Sequence, residues 1–271
     1  MFEAHENGDY LVQLESGVLR VSFNRPKFGN AIGQTTVPGL LQLFRDAQES
    51  AQVGSILIRG EGKIFSAGGD VAGFSRLLEQ SVPERQADFS RRLSRLRELV
   101  EAVLAFDRPI VVSVRGAAAG AGLLYPLVAD YAIGDPTALF IFAHQGVGLC
   151  PDGGVSAVLP LVVGRRMARS LVLTAARVKA DEAHRIGILH RIVPPEELEA
   201  EANAAALRLA RAPRRAVVEA KKLMNESSSR SISEQLDAEM RGVVACAGDA
   251  DFEEGVRAFL DKRTPNFPST Q

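Results

Sequence analysis

The 271-residue chain has no tryptophan, only two cysteines, and a formal net charge of −1 from 32 basic and 33 acidic residues. Each shortage excludes something. Two thiols, Cys150 and Cys246, are too few for a disulfide framework and fit a reducing, cytoplasmic compartment, where both are expected as small buried side chains. Balanced charge leaves no global field to gather nucleic acid. The longest apolar region, roughly 109 to 129, is broken by Arg115, glycines and Pro126 and then meets Asp130, so it reads as a buried strand and helix rather than a membrane span. The N-terminus has neither a basic start nor an apolar stretch, so no secretory or transit peptide is expected. No histidine pair has metal-ligand spacing, no Walker lysine follows a glycine loop, and no Gly-x-Ser-x-Gly elbow is present.

What remains is a chain that is 46% hydrophobic, large enough for one α/β core with a smaller appendage. Tyr10 to Leu14 and Val18 to Phe23 alternate across Glu15-Ser16-Gly17 and predict a hairpin. Further strands are expected at 55 to 59, 109 to 114 and 139 to 142, with helices near 37 to 50, 84 to 106 and 120 to 129, the last distorted by Pro126. The arginine-rich piece from Arg85 to Arg97 reads as a solvated helix face with Leu93, Leu96 and Leu99 turned inward. Beyond about residue 195 the pattern is helical: 198 to 212, 216 to 224, a helix opened by a Ser231/Glu234 capping box, and 251 to 262 with Phe252, Val256, Phe259 and Leu260 on one face.

Two small-residue segments each follow an apolar run: Phe65-Ser66-Ala67-Gly68-Gly69-Asp70 and Gly116-Ala117-Ala118-Ala119-Gly120-Ala121-Gly122. Such segments let main-chain N–H groups approach a ligand, and two donors converging on one oxygen stabilise developing negative charge. Taken singly, each reads equally as a tight turn. A dinucleotide fingerprint is excluded for Gly120-x-Gly122 because Tyr125 stands at the third glycine position.

With Asn24-Arg25-Pro26, Asn30-Ala31, Pro151-Asp152-Gly153-Gly154 and Ala258 to Arg263 in the same order, the chain resembles the enoyl-CoA hydratase/isomerase (crotonase) superfamily along nearly its whole length. The resemblance implies an α/β fold, a crotonase-like spiral of ββα units over residues 1–196 carrying an oxyanion hole, followed by a C-terminal helical trimerisation region over 197–271. It implies stabilisation of a thioester enolate, with Ala67 and Ala121 as the amide donors. It places coenzyme A, a part of the substrate and not a bound cofactor, against Arg25, Lys27, Ala67, Gly68, Asp70, Val71 and Gly120. It also implies that the terminal helix of a neighbouring subunit supplies Phe259 and Lys262, and hence a homotrimer or a dimer of trimers.

Hydratases of this superfamily use two glutamates, and here those positions carry Leu124 and His144. Isomerases need one carboxylate to shuttle a proton, and Asp152 matches the acid of the isomerase branch that includes the phenylacetyl-CoA epoxide isomerases. Asp152 equally reads as a cap of the helix beginning near Gly154. His144 reads as a proton relay or as a hydrogen-bonded wall residue. Leu124, Tyr125, Val147 and Leu149 are expected to wall the acyl pocket. A Cys150 thiol nucleophile has nothing to activate it, and the lack of tryptophan disfavours the superfamily's dehalogenase chemistry. The sequence thus predicts an enoyl-CoA isomerase. An atypical hydratase using His144 and Asp152, or a non-catalytic acyl-CoA or RNA-binding homologue, are the alternatives. No metal, nucleic acid or membrane partner is expected.

Overall fold

The structure is a computed structural model that describes residue 2 and residues 8–33, 35–70 and 72–270. Residues 1 and 3–7, on which the N-terminal reading falls, and Val71 therefore lie outside the described residues. In chain order the elements are β1 (Tyr10–Glu15), β2 (Val18–Phe23), α1 (Thr36–Glu49), β3 (Ser55–Gly60), α2 (Val82–Ala105), β4 (Ile110–Val114), β5 (Ala117–Ala119), α3 (Leu124–Val128), β6 (Tyr131–Gly134) and β7 (Leu139–Ile141). They continue with α4 (Val155–Val163), α5 (Arg165–Leu173), β8 (Arg177–Lys179), α6 (Ala180–Arg185), β9 (Arg191–Ile192), α7 (Leu198–Ala210), α8 (Arg214–Glu226), α9 (Ile232–Ala247) and α10 (Ala250–Leu260).

Six strands form the main sheet in the order β1-β2-β3-β4-β6-β9, and β5-β7-β8 form a second. From β2 onward the main-sheet pairings are parallel, so each return crosses over through helix or loop. Single bridges at Ile32–Gly69 and Ser66–Ala118 extend the second layer beside β5. Each turn of chain thus lays one strand in the main sheet, one short extended piece in the second, and a helix outside them. This is the stacked ββα spiral the sequence implied.

Alternation along the strands feeds two cores. Ile56, Ile58, Ile110, Val112 and Val114 face α1, α2 and α3. Leu57, Val111 and Ile133 face the other way, onto Leu198, Ala202 and Ala206 of α7. α7 therefore closes the sheet's second face, and it is α8 to α10 that stand beyond it. Lys221 fastens α8 back to the core: its Nζ donates to the Arg108 carbonyl at 2.9 Å and to Asp130 Oδ2 at 2.7 Å.

Several expectations need correction. Cys150 is exposed and Cys246 partly so, because both sit on loops or helix surface away from either core. Leu93 is 39% exposed, and only Leu99 of the three leucines is fully buried, because the first half of α2 borders a cavity instead of the core. Leu124 and Tyr125 lie in the main core, packed under the sheet, and do not line that cavity. The helix expected at 120 to 129 is a 3₁₀ turn, Gly120–Leu123, followed by the short α3 that contains Pro126. Among the described residues no helix is long and apolar enough to cross a membrane.

Candidate active site

The site begins with how two loops are brought together. Asn30 Nδ2 donates to the carbonyls of Glu61 and Ile64, at 2.9 and 2.6 Å, while its Oδ1 accepts from the Arg25 N–H at 2.8 Å. The Asn-Arg-Pro and Asn-Ala segments are thereby a latch that holds the loop leading to Ser66. Ser66 in turn bridges to β5, accepting from the Ala119 N–H at 2.9 Å. Gly68 has φ +81°, and a Cβ there would lie 2.3 Å from the Ala119 carbonyl oxygen and 3.0 Å from the Ala121 nitrogen. Only glycine permits that approach, and it sets residues 67–69 beside Gly120 and Ala121.

The two amides differ. Ala121 is the second residue of its 3₁₀ turn, where the N–H precedes the first bond inside the turn and no carbonyl within it can serve as its acceptor. The Ala67 N–H already donates to the Gly29 carbonyl at 2.7 Å. An oxygen placed at the Ala67 N–H would therefore share that proton with Gly29 in a three-centre bond.

Ala67 and Ala121 line one cavity of about 570 Å³ together with Arg25, Asp70, Gly120, His144 and Asp152. Gly153, at φ +58°, brings the Pro-Asp loop in; a Cβ on it would sit 3.4 Å from Ala121 Cα. Within that loop His144 Nε2 lies 3.0 Å from Asp152 Oδ1. His144 is buried, and the Asp152 side chain is about a third exposed, to the cavity. The helix-capping reading of Asp152 fails: α4 starts after Gly154 with no side-chain cap, and it is the Asp152 main-chain carbonyl that accepts from Val155. The other lining carboxylates are engaged. Asp70 accepts from the Gly73 N–H at 3.0 Å, and Asp88 is bound by Arg91 and Arg92 at 3.2 and 2.6 Å.

The remaining sequence candidates scatter. Arg25 lines the cavity, but its guanidinium donates to the Ala31 carbonyl, sits 3.5 Å from Asp9 and lies over the Phe28 ring. Lys27 is exposed and outside the cavity lining. Val147 and Leu149 do line the cavity, as expected. Phe259 is 82% exposed on α10, and Lys262 follows it with φ +54°; neither borders this cavity. Sequence reasoning missed Phe74, Leu77, Phe89 and Arg92 as lining residues, although the helical spacing of 89, 92 and 96 carries that signal.

A cavity lined by main-chain amides and by a carboxylate paired with an imidazole, on a spiral of ββα turns, is the setting of an acyl-thioester enzyme class. Residues 13–270 match the enoyl-CoA hydratase/isomerase family, and the chain belongs to it, as an acyl-CoA-binding enzyme. It is 31% identical to a trans-2-decenoyl-[acyl-carrier-protein] isomerase of Streptococcus mutans, covering 96% of this chain and 97% of that one. It is 32% identical to a crotonyl-CoA hydratase of Syntrophomonas wolfei, covering 98% and 99%. A solved enoyl-CoA hydratase from a Polaromonas species superposes with a TM-score of 0.87 at 30% identity, over 94% of this chain and 98% of that one.

Proposed function

We propose that the chain is an enoyl-CoA isomerase that moves a double bond from β,γ to α,β, with Asp152 as the proton carrier. The observation that carries this reading is the His144–Asp152 pair at 3.0 Å: Asp152 is the lining carboxylate that meets a buried imidazole, whereas Asp70 is held through Oδ1 by the Gly73 N–H and Asp88 by two arginines. With its Nε2 protonated, His144 donates to Oδ1 and leaves Oδ2 to the substrate. Oδ2 takes the C2 proton of a 3-enoyl thioester, and the electron pair moves into the carbonyl to give a dienolate. That oxygen is held by the Ala121 N–H and by the Ala67 N–H shared with Gly29. The same proton returns at C4, leaving the C2=C3 double bond. His144 is a positioning residue on this reading.

Coenzyme A runs along Arg25, Asp70, Gly68 and Gly120, with Lys27 at its edge and Phe259 and Lys262 supplied by a second copy in a trimer or dimer of trimers. The exposed apolar faces of α9 and α10 support that assembly. Asp152→Asn should lower turnover of a 3-enoyl-CoA by about 10³-fold while coenzyme A affinity, read by calorimetry, is retained; undiminished turnover overturns the reading. A hydratase is the second reading, because an imidazole coupled to a carboxylate also activates water. Gain of one water by crotonyl-CoA, followed by mass, selects it.

A further inference from the structure

One wall of the cavity is built by the 3₁₀ segment Ala72–Glu79 and by the first half of α2. Its apolar rungs are Phe74 and Phe89, ring centroids 5.3 Å apart, with the buried Leu77. Polar groups are set between them. Arg92 lies over the Phe74 ring at 5.9 Å and is bound to Asp88 at 2.6 Å, and Arg91 draws on the same carboxylate. Arg76 and Arg95 line the cavity as exposed side chains with no ion pair or hydrogen bond among the described residues, and Glu79 of the same segment pairs with neither. The Gln80 amide lines it too, its Oε1 buried with no partner among the described residues.

A carbon chain suits the apolar rungs, but two uncompensated guanidinium groups beside them suit an anion, and a cation bordering apolar surface gains more from such a partner than one in open water. We propose that the acyl group of the substrate ends in a carboxylate, received by Arg76 and Arg95. A half-turn of the Gln80 amide presents its NH₂ to the same group. The inference rests on the thioester reading of this cavity, in which Arg25, Lys27 and a second copy's Lys262 attend the coenzyme A moiety. That leaves the α2 wall to the acyl end.

The test is calorimetric and needs no turnover: adipoyl-CoA against hexanoyl-CoA, saturated thioesters of equal chain length that differ in the terminal carboxylate. Arg76→Gln/Arg95→Gln should weaken adipoyl-CoA about tenfold more than hexanoyl-CoA, and Arg76→Lys/Arg95→Lys should keep most of the difference. Equal losses for both ligands mean that the arginines hold coenzyme A phosphates, and that overturns the proposal, as does no loss for either. If the folded wild-type protein binds neither thioester, the thioester reading falls and this inference with it. Binding of both without isomerase turnover removes only the proton-shuttle reading.

Discussion

A carboxylate ahead of a helix ordinarily turns back to cap it, yet Asp152 leaves that bond to its own carbonyl and gives Oδ1 to His144. If the imidazole only positions the carboxylate, His144→Ala should lower kcat about tenfold with little change in KM, and His144→Gln, which keeps a donor, should recover part of the loss. Gly68 is fixed by space as well as by φ. Gly68→Ala drives a methyl into the Ala119 carbonyl, so urea unfolding should show a loss of about 2–4 kcal/mol and activity should fall with it. Tyr125 lies against Phe23 with ring centroids 5.1 Å apart, and its buried hydroxyl has no partner among the described residues. Removing that hydroxyl in Tyr125→Phe should stabilise the fold by about 1 kcal/mol. Burial also pushes the Tyr125 phenol above its ordinary value, and burial with the charges of Asp46 and Asp9 pushes Tyr10 up to about 12. The unfolded chain then ionises first. Stability is full below about pH 10 and is lost as pH rises toward about 12, and the Tyr10→Phe/Tyr125→Phe variant should flatten that loss in urea titrations at the two ends of the window.

At the scale of elements, periodicity located the hairpin, β3, β4, α1 and α2 within a few residues, because each carries a long apolar pattern facing one core. The short strands β5, β8 and β9 carry too few residues to show a period, and they exist because neighbouring turns of the spiral offer them a ladder. The capping box of α9 was legible and is present, Ser231 accepting from the Glu234 N–H. α10 ends in a left-handed turn in which the Arg263 N–H reaches the Ala258 carbonyl and the Lys262 N–H reaches Phe259, a geometry that favours glycine at position 262. Lys262 is held there at φ +54°, and the proposed coenzyme A contact would give its side chain a use that glycine lacks. Lys262→Gly should raise thermal stability by about 1 kcal/mol and weaken coenzyme A binding in the same preparation; unchanged binding removes Lys262 from the site.

The whole molecule leaves an apolar stripe open on α9: Ile232, Leu236, Met240 and Val243, with Ile232 80% exposed. Phe252, Val256, Phe259 and Leu260 of α10 continue it, beside a largely apolar cavity of about 400 Å³. A stripe of this extent is costly in water, and in the proposed assembly a second copy covers it. Leu236→Asp/Val243→Asp should shift the sedimenting species to a monomer and weaken coenzyme A binding, since Phe259 and Lys262 would no longer reach a neighbour's cavity. Retention of a trimeric mass would remove this face from the interface.

The sequence by itself determined the hairpin and the long elements, because turn glycines and apolar periods are local properties of the chain, and its ordered motifs carried the family resemblance that pointed to Ala67, Ala121 and Asp152. Only the tertiary structure decided which hydrogen bonds those groups make. The Ala67 amide is taken by Gly29, Asp152 is turned from its helix to His144, and the exposed Arg76 and Arg95 are brought to the rim of one cavity. Each of these depends on residues far apart in the chain, or on separate elements, meeting across the packed spiral, and no window of sequence contains that meeting.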